Sequence, residues 1–378
     1  MDIMKQNSEP LLELRALTKE YGRGIALAGV NLSVRSGELV ALVGPSGSGK
    51  STVLSLIAGF QVPTSGQILL RGQDISRLAP GQRELGVVFQ NYALFPHMTI
   101  AENVGYPLKL RGWDAARRRE RVAEVLDLVR LNGHEAKRPR QLSGGQQQRA
   151  ALARVLSFEP PVLLMDEPLS ALDREIRGEM KAEIRRIHRE LGTTILYVTH
   201  DRDEALALSD RVAILRGGHL VAIGPPTELF RAPTSAFVGR FFSGNNILPI
   251  ANVTAADPGH ARIQLGGGEV VVRSTACGSG TRTCLALPPH NVRLQPEPGM
   301  PSLPARVVDV AYLGHETEVT FLINSETNIV GRFPYGIKIP DPGEAVDLYL
   351  LLEGTVLVVD DVGTGDVGRA ELRQFALA

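Results

Sequence analysis

The stretch Glu38-Leu39-Val40-Ala41-Leu42-Val43-Gly44-Pro45-Ser46-Gly47-Ser48-Gly49-Lys50-Ser51 decides the fold. It opens as an apolar strand over Glu38–Val43, passes through three glycines, and ends where an apolar helix is predicted over Lys50–Ala58. Gly44 to Ser51 meets the pattern G-x-x-x-x-G-K-[ST] at every fixed position, in the strand–loop–helix setting the pattern requires. Glycines let successive backbone N–H groups converge on phosphate oxygens with no Cβ in the way. A helix starting near Lys50 turns its positive end toward the same anion. Lys50 supplies a mobile charge for the β- and γ-phosphates, and the Ser51 hydroxyl is suited to Mg²⁺. Thr52 follows within reach of an α-phosphate, and Pro45, Ser46 and Ser48 fill the variable positions of the cradle. The competing reading is a plain Gly-rich strand–helix turn, and the flanking strand and helix weigh against it.

Outward from this loop, a second apolar strand, Val162-Leu163-Leu164-Met165, ends in Asp166-Glu167. That places two carboxylates at the carboxyl edge of a sheet, where α/β proteins bind their ligands. Asp166 would hold Mg²⁺ and Glu167 would polarise an attacking water. An acidic strand end is common, so this motif takes its weight from the phosphate loop. Leu142-Ser143-Gly144-Gly145-Gln146 precedes a helical stretch over Gln147–Leu156. Ser143 and Gln146 have capping-box spacing, which alone would mark an ordinary helix start. Two glycines in the first turn would weaken such a helix, whereas a close backbone approach to an anion would use them.

The rest of the first 240 residues alternates strands with amphipathic stretches. Leu11–Leu17, Val30–Val34, Gly66–Leu70, Leu85–Phe89 and Thr194–Val198 read as strands, and Asp173–Leu191 as a charged helix. From about 98 to 157 the chain is helical, with Val122, Val125, Leu126 and Val129 on one face. The pattern predicts a mostly parallel sheet. After Phe242, Gly and Pro become frequent and short β runs follow: Val270–Val272, Ala305–Tyr312, Glu318–Ile323, Ala345–Leu352 and Thr355–Val359. These predict a small all-β barrel or sandwich.

Composition bounds the function classes. A chain of 378 residues with 43% hydrophobic and 22% charged residues excludes disordered, collagen-like and disulfide-scaffold proteins. The net charge is zero, but residues 1–240 hold 32 basic and 26 acidic residues, and 241–378 hold 9 and 15. The Arg117-Arg118-Arg119 run and the Arg185-Arg186 pair fall on predicted helices and read as solvated faces, so no nucleic-acid partner is expected. Cys277 and Cys284 are too few for a disulfide framework and read as free thiols in a reducing compartment. The start shows no signal-peptide core, and no apolar run approaches the ~18 residues that cross a bilayer.

With its three motifs in this order, the chain resembles the nucleotide-binding subunit of an ABC transporter, over roughly residues 10–240. Leu142 to Gln146 is that family's L-S-G-G-Q signature. Tyr21, read as preceding the first strand pair, stands where the family stacks an aromatic ring on adenine. Gln90 follows strand Leu85–Phe89 as the Q-loop glutamine does, Ser170-Ala171-Leu172-Asp173 matches the D-loop, and His200 stands as the switch histidine. The tail from about 241 to 378 resembles the OB-like (TOBE) domain of importer ATPases, through Leu287–Leu294 and Tyr312–Thr317. The family often has Arg-Pro-Glu where this chain has Pro288-Pro289-His290. The expected class is therefore a P-loop NTPase α/β domain with a helical subdomain at about 91–158, followed by a small all-β OB-like domain.

The resemblance implies an ATPase with ATP and Mg²⁺ as cofactors. ATP and its metal would be held by Gly44–Thr52, Tyr21, Gln90 and Asp166 of one copy, with Ser143, Gly144, Gly145, Gln146 and Asp173 capping the nucleotide of a second. Glu167 would act on the water and His200 on the γ-phosphate. It implies two membrane-spanning permease subunits, a substrate-binding protein and a homodimer on the cytoplasmic side of the inner membrane. The apolar segment Asn91–Ile100 would form the groove for a permease helix. Phe95–Thr99 and the 241–248 junction look most like polyamine (spermidine/putrescine) importers, with ferric iron, sulfate or phosphonate as alternatives. Two other classes compete: a soluble ABC ATPase acting on DNA or ribosomes, and a ligand-sensing regulatory module. One phosphate loop and no sustained heptads weigh against the first; Glu167 and His200 weigh against the second.

Overall fold

A computed structural model describes residues 9–22, 24–276, 282–324 and 327–361. Cys277 lies outside them. The chain forms two compact units, residues 1–226 and 227–378. The division falls upstream of the 240/241 change in sequence texture, because a helix over Ala236–Phe241 packs on strands of the second unit.

The first unit runs β1 (Leu12–Tyr21), β2 (Gly24–Val34), β3 (Leu39–Val43), α1 (Lys50–Ala58), β4 (Ser65–Leu70), β5 (Gln73–Asp74) and β6 (Gly86–Val88). It continues with α2 (Ile100–Leu110), α3 (Ala115–Leu128), α4 (Gly144–Leu156), β7 (Val162–Asp166), α5 (Arg174–Leu191), β8 (Thr194–Val198), α6 (Arg202–Leu208), β9 (Arg211–Arg216) and β10 (His219–Gly224). The expected strands and the 98–157 helical stretch are present. The first strand runs four residues beyond Leu17, so Tyr21 ends β1 rather than preceding the strand pair.

One sheet has the order β2-β1-β4-β5 and is antiparallel; the other has the order β10-β9-β3-β8-β7-β6 and is parallel except for β10. In the second sheet all five residues of β3 and of β8 are buried, since both faces are covered. That is why their sequence is an unbroken apolar run instead of an alternation. One core fills the space between the two sheets and packs α1; a second lies on the opposite face under α2 to α5. Strand register sets the site. Leu42 pairs with Val198, and Val198 with Asp166, so the loops leaving β3, β8 and β7 emerge side by side. Buried Arg83 anchors the far end of α1, donating to Ile57 O at 2.8 Å and to Ser76 O and Leu78 O at 2.9 Å. A cation at a helix C-terminus satisfies carbonyls that the helix cannot.

The second unit begins with α7 (Pro226–Arg231) and α8 (Ala236–Phe241), followed among the described residues by eleven strands. These are β11 (Asn246–Ile250), β12 (Val253–Ala255), β13 (His260–Leu265), β14 (Gly268–Ser274), β15 (Thr283–Leu287), β16 (Val292–Arg293), β17 (Ser302–Tyr312), β18 (Glu316–Ile323), β19 (Thr327–Pro334), β20 (Ala345–Leu350) and β21 (Val356–Val359). Two sheets, β11-β15-β21-β14-β13-β12 and β16-β20-β17-β18-β19, are antiparallel apart from the β14–β21 pair. They share one apolar core that includes Ile263, Leu285, Phe321, Phe333 and Leu348. This is the all-β, OB-like domain that the tail predicts. Cys284 is buried and free, its thiol pushed up to about 11 by burial and by Asp360.

Candidate functional site

The phosphate loop is held open by its own backbone. Gly47 and Gly49 have φ of 77° and 103°, in the region that L side chains avoid. A Cβ on Gly49 would lie 2.7 Å from Ala26 O, and one on Gly44 would lie 2.3 Å from Leu215 O. The loop is thus wedged between β2 and β9. Lys50 is 7% exposed, and its ammonium donates to Gly44 O at 2.8 Å and Pro45 O at 2.9 Å. Burial pushes its pKa below the usual lysine range, against the opposing pull of Glu167 and Asp166. Ser48 Oγ is buried without a hydrogen-bond partner, an orphaned polar atom inside the cradle. Such atoms call for a ligand or water. Ser51 is exposed at the first turn of α1.

At the neighbouring strand ends, Asp166 and Glu167 are half-buried. Burial raises the Asp166 pKa, the charge of Glu167 raises it further, and Lys50 opposes both. Glu167 has φ 43°, a strained value fixed by its N–H donating to Val198 O at 2.9 Å and its carbonyl accepting from Ser170 Oγ at 2.9 Å. His200 Nδ1 lies 3.0 Å from Glu167 Oε2. Lys50, Asp166, Glu167 and His200 therefore meet at one edge. A hydroxyl, one or two carboxylates and phosphate oxygens form the hard-oxygen donor set that suits Mg²⁺, so Ser51 and Asp166 fit that ion.

Ser143, Gly144, Gly145, Gln146 and Asp173 form a second group. Ser143 caps α4, with its N–H donating to Gln146 Oε1 at 3.1 Å and its Oγ accepting from Gln146 N at 3.4 Å. Asp173 caps α5 by accepting from Ile176 N at 2.9 Å. A Cβ on Gly144 would lie 3.1 Å from Leu172 Cδ2, and one on Gly145 would lie 2.9 Å from Ile176 Cγ2. The glycines thus let the start of α4 sit directly on the D-loop and the first turn of α5. Packing within the chain accounts for them, alongside any anion they approach.

Tyr21 is 50% exposed, with Lys19 Nζ 5.1 Å from its ring centroid and its hydroxyl on Gln61. Gln90 is exposed just after β6. In the segment that follows, Tyr92 is buried and Phe95 packs edge-on against Tyr106 at 4.9 Å. The cleft beside Pro96 and His97 is also lined by Ala136, Arg138, Arg140 and Gln141, which makes its far wall basic.

The sequence reading missed Glu204. It is buried in the first turn of α6 and accepts from Tyr197 Oη at 2.9 Å and Thr199 Oγ1 at 2.8 Å, beneath the His200 turn. Only an acid three residues after the helix-capping Asp201 hinted at it. Also missed was the β9–β10 turn, where Gly218 N donates to Ser48 O at 3.2 Å and Gly218 O accepts from Ala28 N at 2.9 Å.

A parallel sheet with a phosphate cradle after its central strand and a carboxylate–histidine pair at the next strand ends defines a nucleotide-binding P-loop ATPase cassette. Residues 27–170 match the ABC transporter family and residues 285–358 the TOBE domain. The chain is 42% identical over 329 residues to the spermidine/putrescine import ATP-binding protein PotA of Thermobifida fusca (strain YX), covering 85% of each chain. It is 45% identical over 304 residues to the Fe(3+) ions import ATP-binding protein FbpC of Brucella abortus (strain 2308), covering 80% of this chain and 85% of that one. Among solved structures, the dimeric post-hydrolysis cassette MJ0796 bound to ADP and Pi aligns with a TM-score of 0.51 at 34% identity, covering 57% of this chain and 98% of that one. The chain belongs to the ABC transporter family, as an ATP-binding subunit that carries a TOBE domain. Among the described residues, no helix is long and apolar enough to cross a membrane.

Proposed function

We propose that the protein is the ATP-hydrolysing subunit of an importer for polyamines of the spermidine/putrescine type. The observation that carries the catalytic part is the convergence of Lys50, Asp166, Glu167 and His200 on the edge beside the phosphate loop. The 42% identity to a spermidine/putrescine import protein supports the substrate class. Ferric iron is the second reading, favoured by 45% identity to an iron-import protein over a shorter stretch.

Lys50 and the loop amides bind the β- and γ-phosphates, and Tyr21 stacks on the base. Bound Mg²⁺ would neutralise charge on the phosphate oxygens, held by Ser51, Asp166 and Gln90. Glu167 takes or orients the proton of the attacking water, and His200 leaves Glu167 to hydrogen-bond the γ-phosphate as charge builds there. A second copy places Ser143, Gly144, Gly145 and Gln146 over the nucleotide, and its Asp173 lines the seam. ATP then joins two copies head to tail, and hydrolysis separates them. The pair works beneath two permease subunits, fed by a substrate-binding protein, on the cytoplasmic side of the membrane. Uptake of radiolabelled spermidine in cells lacking the gene, with native or Glu167→Gln protein restored, tests this reading. Spermidine uptake should return only with the native chain; restored iron uptake without spermidine uptake selects the second reading.

A further inference from the structure

Arg154 is a buried arginine near the end of α4 whose guanidinium, among the described residues, meets two carbonyl oxygens and the Phe95 ring, with the ring centroid 5.7 Å away, and no carboxylate. Nη1 donates to Ala93 O at 2.7 Å and Nη2 to Tyr92 O at 3.1 Å. Burial depresses its pKa. A desolvated cation is costly, so its placement requires a compensating task. The two carbonyls belong to consecutive non-glycine residues in the left-handed region, with φ of 58° at Tyr92 and 48° at Ala93. Such a pair persists only where the surroundings over-determine it. The planar guanidinium fork suits two adjacent acceptors, which a lysine ammonium cannot grip in the same geometry.

Two residues upstream of this clamp is Gln90. Asn103 of α2 makes a second tie, accepting from Phe95 N at 2.8 Å and donating to Phe95 O at 3.1 Å. The segment after Gln90 is thus fastened to helices. The helix that Arg154 occupies is the one capped by Ser143 and Gln146, about 16 Å away at 1.5 Å per residue.

We propose that Arg154 is a positioning residue that makes α4 carry the Gln90 segment. The seating of Ser143–Gln146 on one nucleotide then sets the position of Gln90 at the other. The proposal rests on the head-to-tail reading above.

The test uses the full chain with Glu167→Gln to trap ATP, alone and combined with Arg154→Lys or Arg154→Met. Hydrogen exchange over residues 91–95 is followed with and without Mg-ATP, and dimer formation by light scattering. Dimerisation of the Glu167→Gln chain should slow exchange over 91–95 by about tenfold or more, because local opening there is suppressed. With Arg154→Lys or Arg154→Met the dimer should form and α1 stay protected, but the slowing over 91–95 should fall below about twofold. Equal slowing in both Arg154 variants overturns the proposal. Absence of any ATP-dependent dimer in Glu167→Gln alone overturns the head-to-tail reading instead. Turnover then tests Arg154 by itself, in a chain with Glu167 intact. Arg154→Lys should lower kcat about tenfold and leave KM for ATP within about twofold, as misplacement of a catalytic segment does. An unchanged kcat overturns the role.

Discussion

His200 Nδ1 and Glu167 Oε2 lie 3.0 Å apart, so the two residues proposed to act on the γ-phosphate and on the attacking water hold each other in this structure. A carboxylate engaged by an imidazole has less freedom to take a proton from water. On the proposed mechanism the contact opens when His200 turns to the γ-phosphate, which would tie base activation to the arrival of ATP. Glu167→Gln keeps the shape of the site and removes the base. Phosphate release should fall by about 10²–10⁴-fold, the usual range for general-base catalysis. ATP should still bind, and light scattering should show a dimer in ATP that the native chain does not accumulate. A variant that turns over at the native rate would remove Glu167 from the mechanism.

Lys50 does two jobs with one ammonium. It ties Gly44 O and Pro45 O together, and on the proposed reading it also carries the charge that meets the phosphates. Lys50→Ala should weaken ATP binding by roughly 10- to 100-fold, the worth of hydrogen bonds to a charged group. Ser48 Oγ, already without a partner, would then line a looser cradle. Fluorescent nucleotide titration measures the change. Affinity within about twofold of native would show that backbone amides alone hold the phosphates.

The phosphate loop was legible because its chemistry is written in adjacent residues, and β3 because burial on both faces leaves an unbroken apolar run. The same logic exposed Asp166 and Glu167. Glu204 and Arg154 were not legible. An acid in the first turn of one helix and an arginine near the end of another look like solvated residues until the fold buries them. Gly218 was missed for a related reason: its close approach to Ala26 O, 2.8 Å for a built Cβ, is a tertiary contact with no local signature. In the second unit, β13 has a clean alternation, with Ala261, Ile263 and Leu265 buried and their neighbours exposed, yet its short length hid it among turns. Shorter strands such as β12 and β16 carry too few residues for any period to show.

The start of α4 separates packing from ligand chemistry. Gly145→Ala places a methyl carbon 2.9 Å from Ile176 Cγ2, which must shift. Overpacking of this kind costs about 1–3 kcal/mol. Urea denaturation should show that loss in Gly145→Ala, and Ile176→Ala in the same chain should recover most of it by removing the opposing methyl. ATP-dependent dimerisation in the Glu167→Gln background reads the other role: on the proposed head-to-tail reading the start of α4 faces the partner's nucleotide, and its geometry, altered by the alanine, should leave dimerisation impaired in the double variant. Full recovery of both properties would assign Gly145 to packing alone.

Glu204 gives the chain a pH signature. Burial raises its pKa above the ordinary 4.5, although the hydrogen bonds from Thr199 and Tyr197 pull the other way. In the window that opens at the unfolded value of 4.5 and ends at the raised folded value, the folded state binds more protons than the unfolded state. Stability from this group is therefore complete below the window and is lost as pH rises through it. Glu204→Gln leaves a carbonyl oxygen that can accept from both Tyr197 and Thr199 but carries no charge. Urea midpoints of the two proteins should differ least below pH 4.5, and the glutamine variant should gain relative to native as pH rises above it. Its turnover at neutral pH should stay near native if Glu204 only supports the His200 turn sterically, and should fall in kcat with KM for ATP unchanged if the carboxylate charge sets the histidine's position. A native chain that gains stability across that window relative to Glu204→Gln would mean that the hydrogen bonds, not burial, dominate the carboxylate.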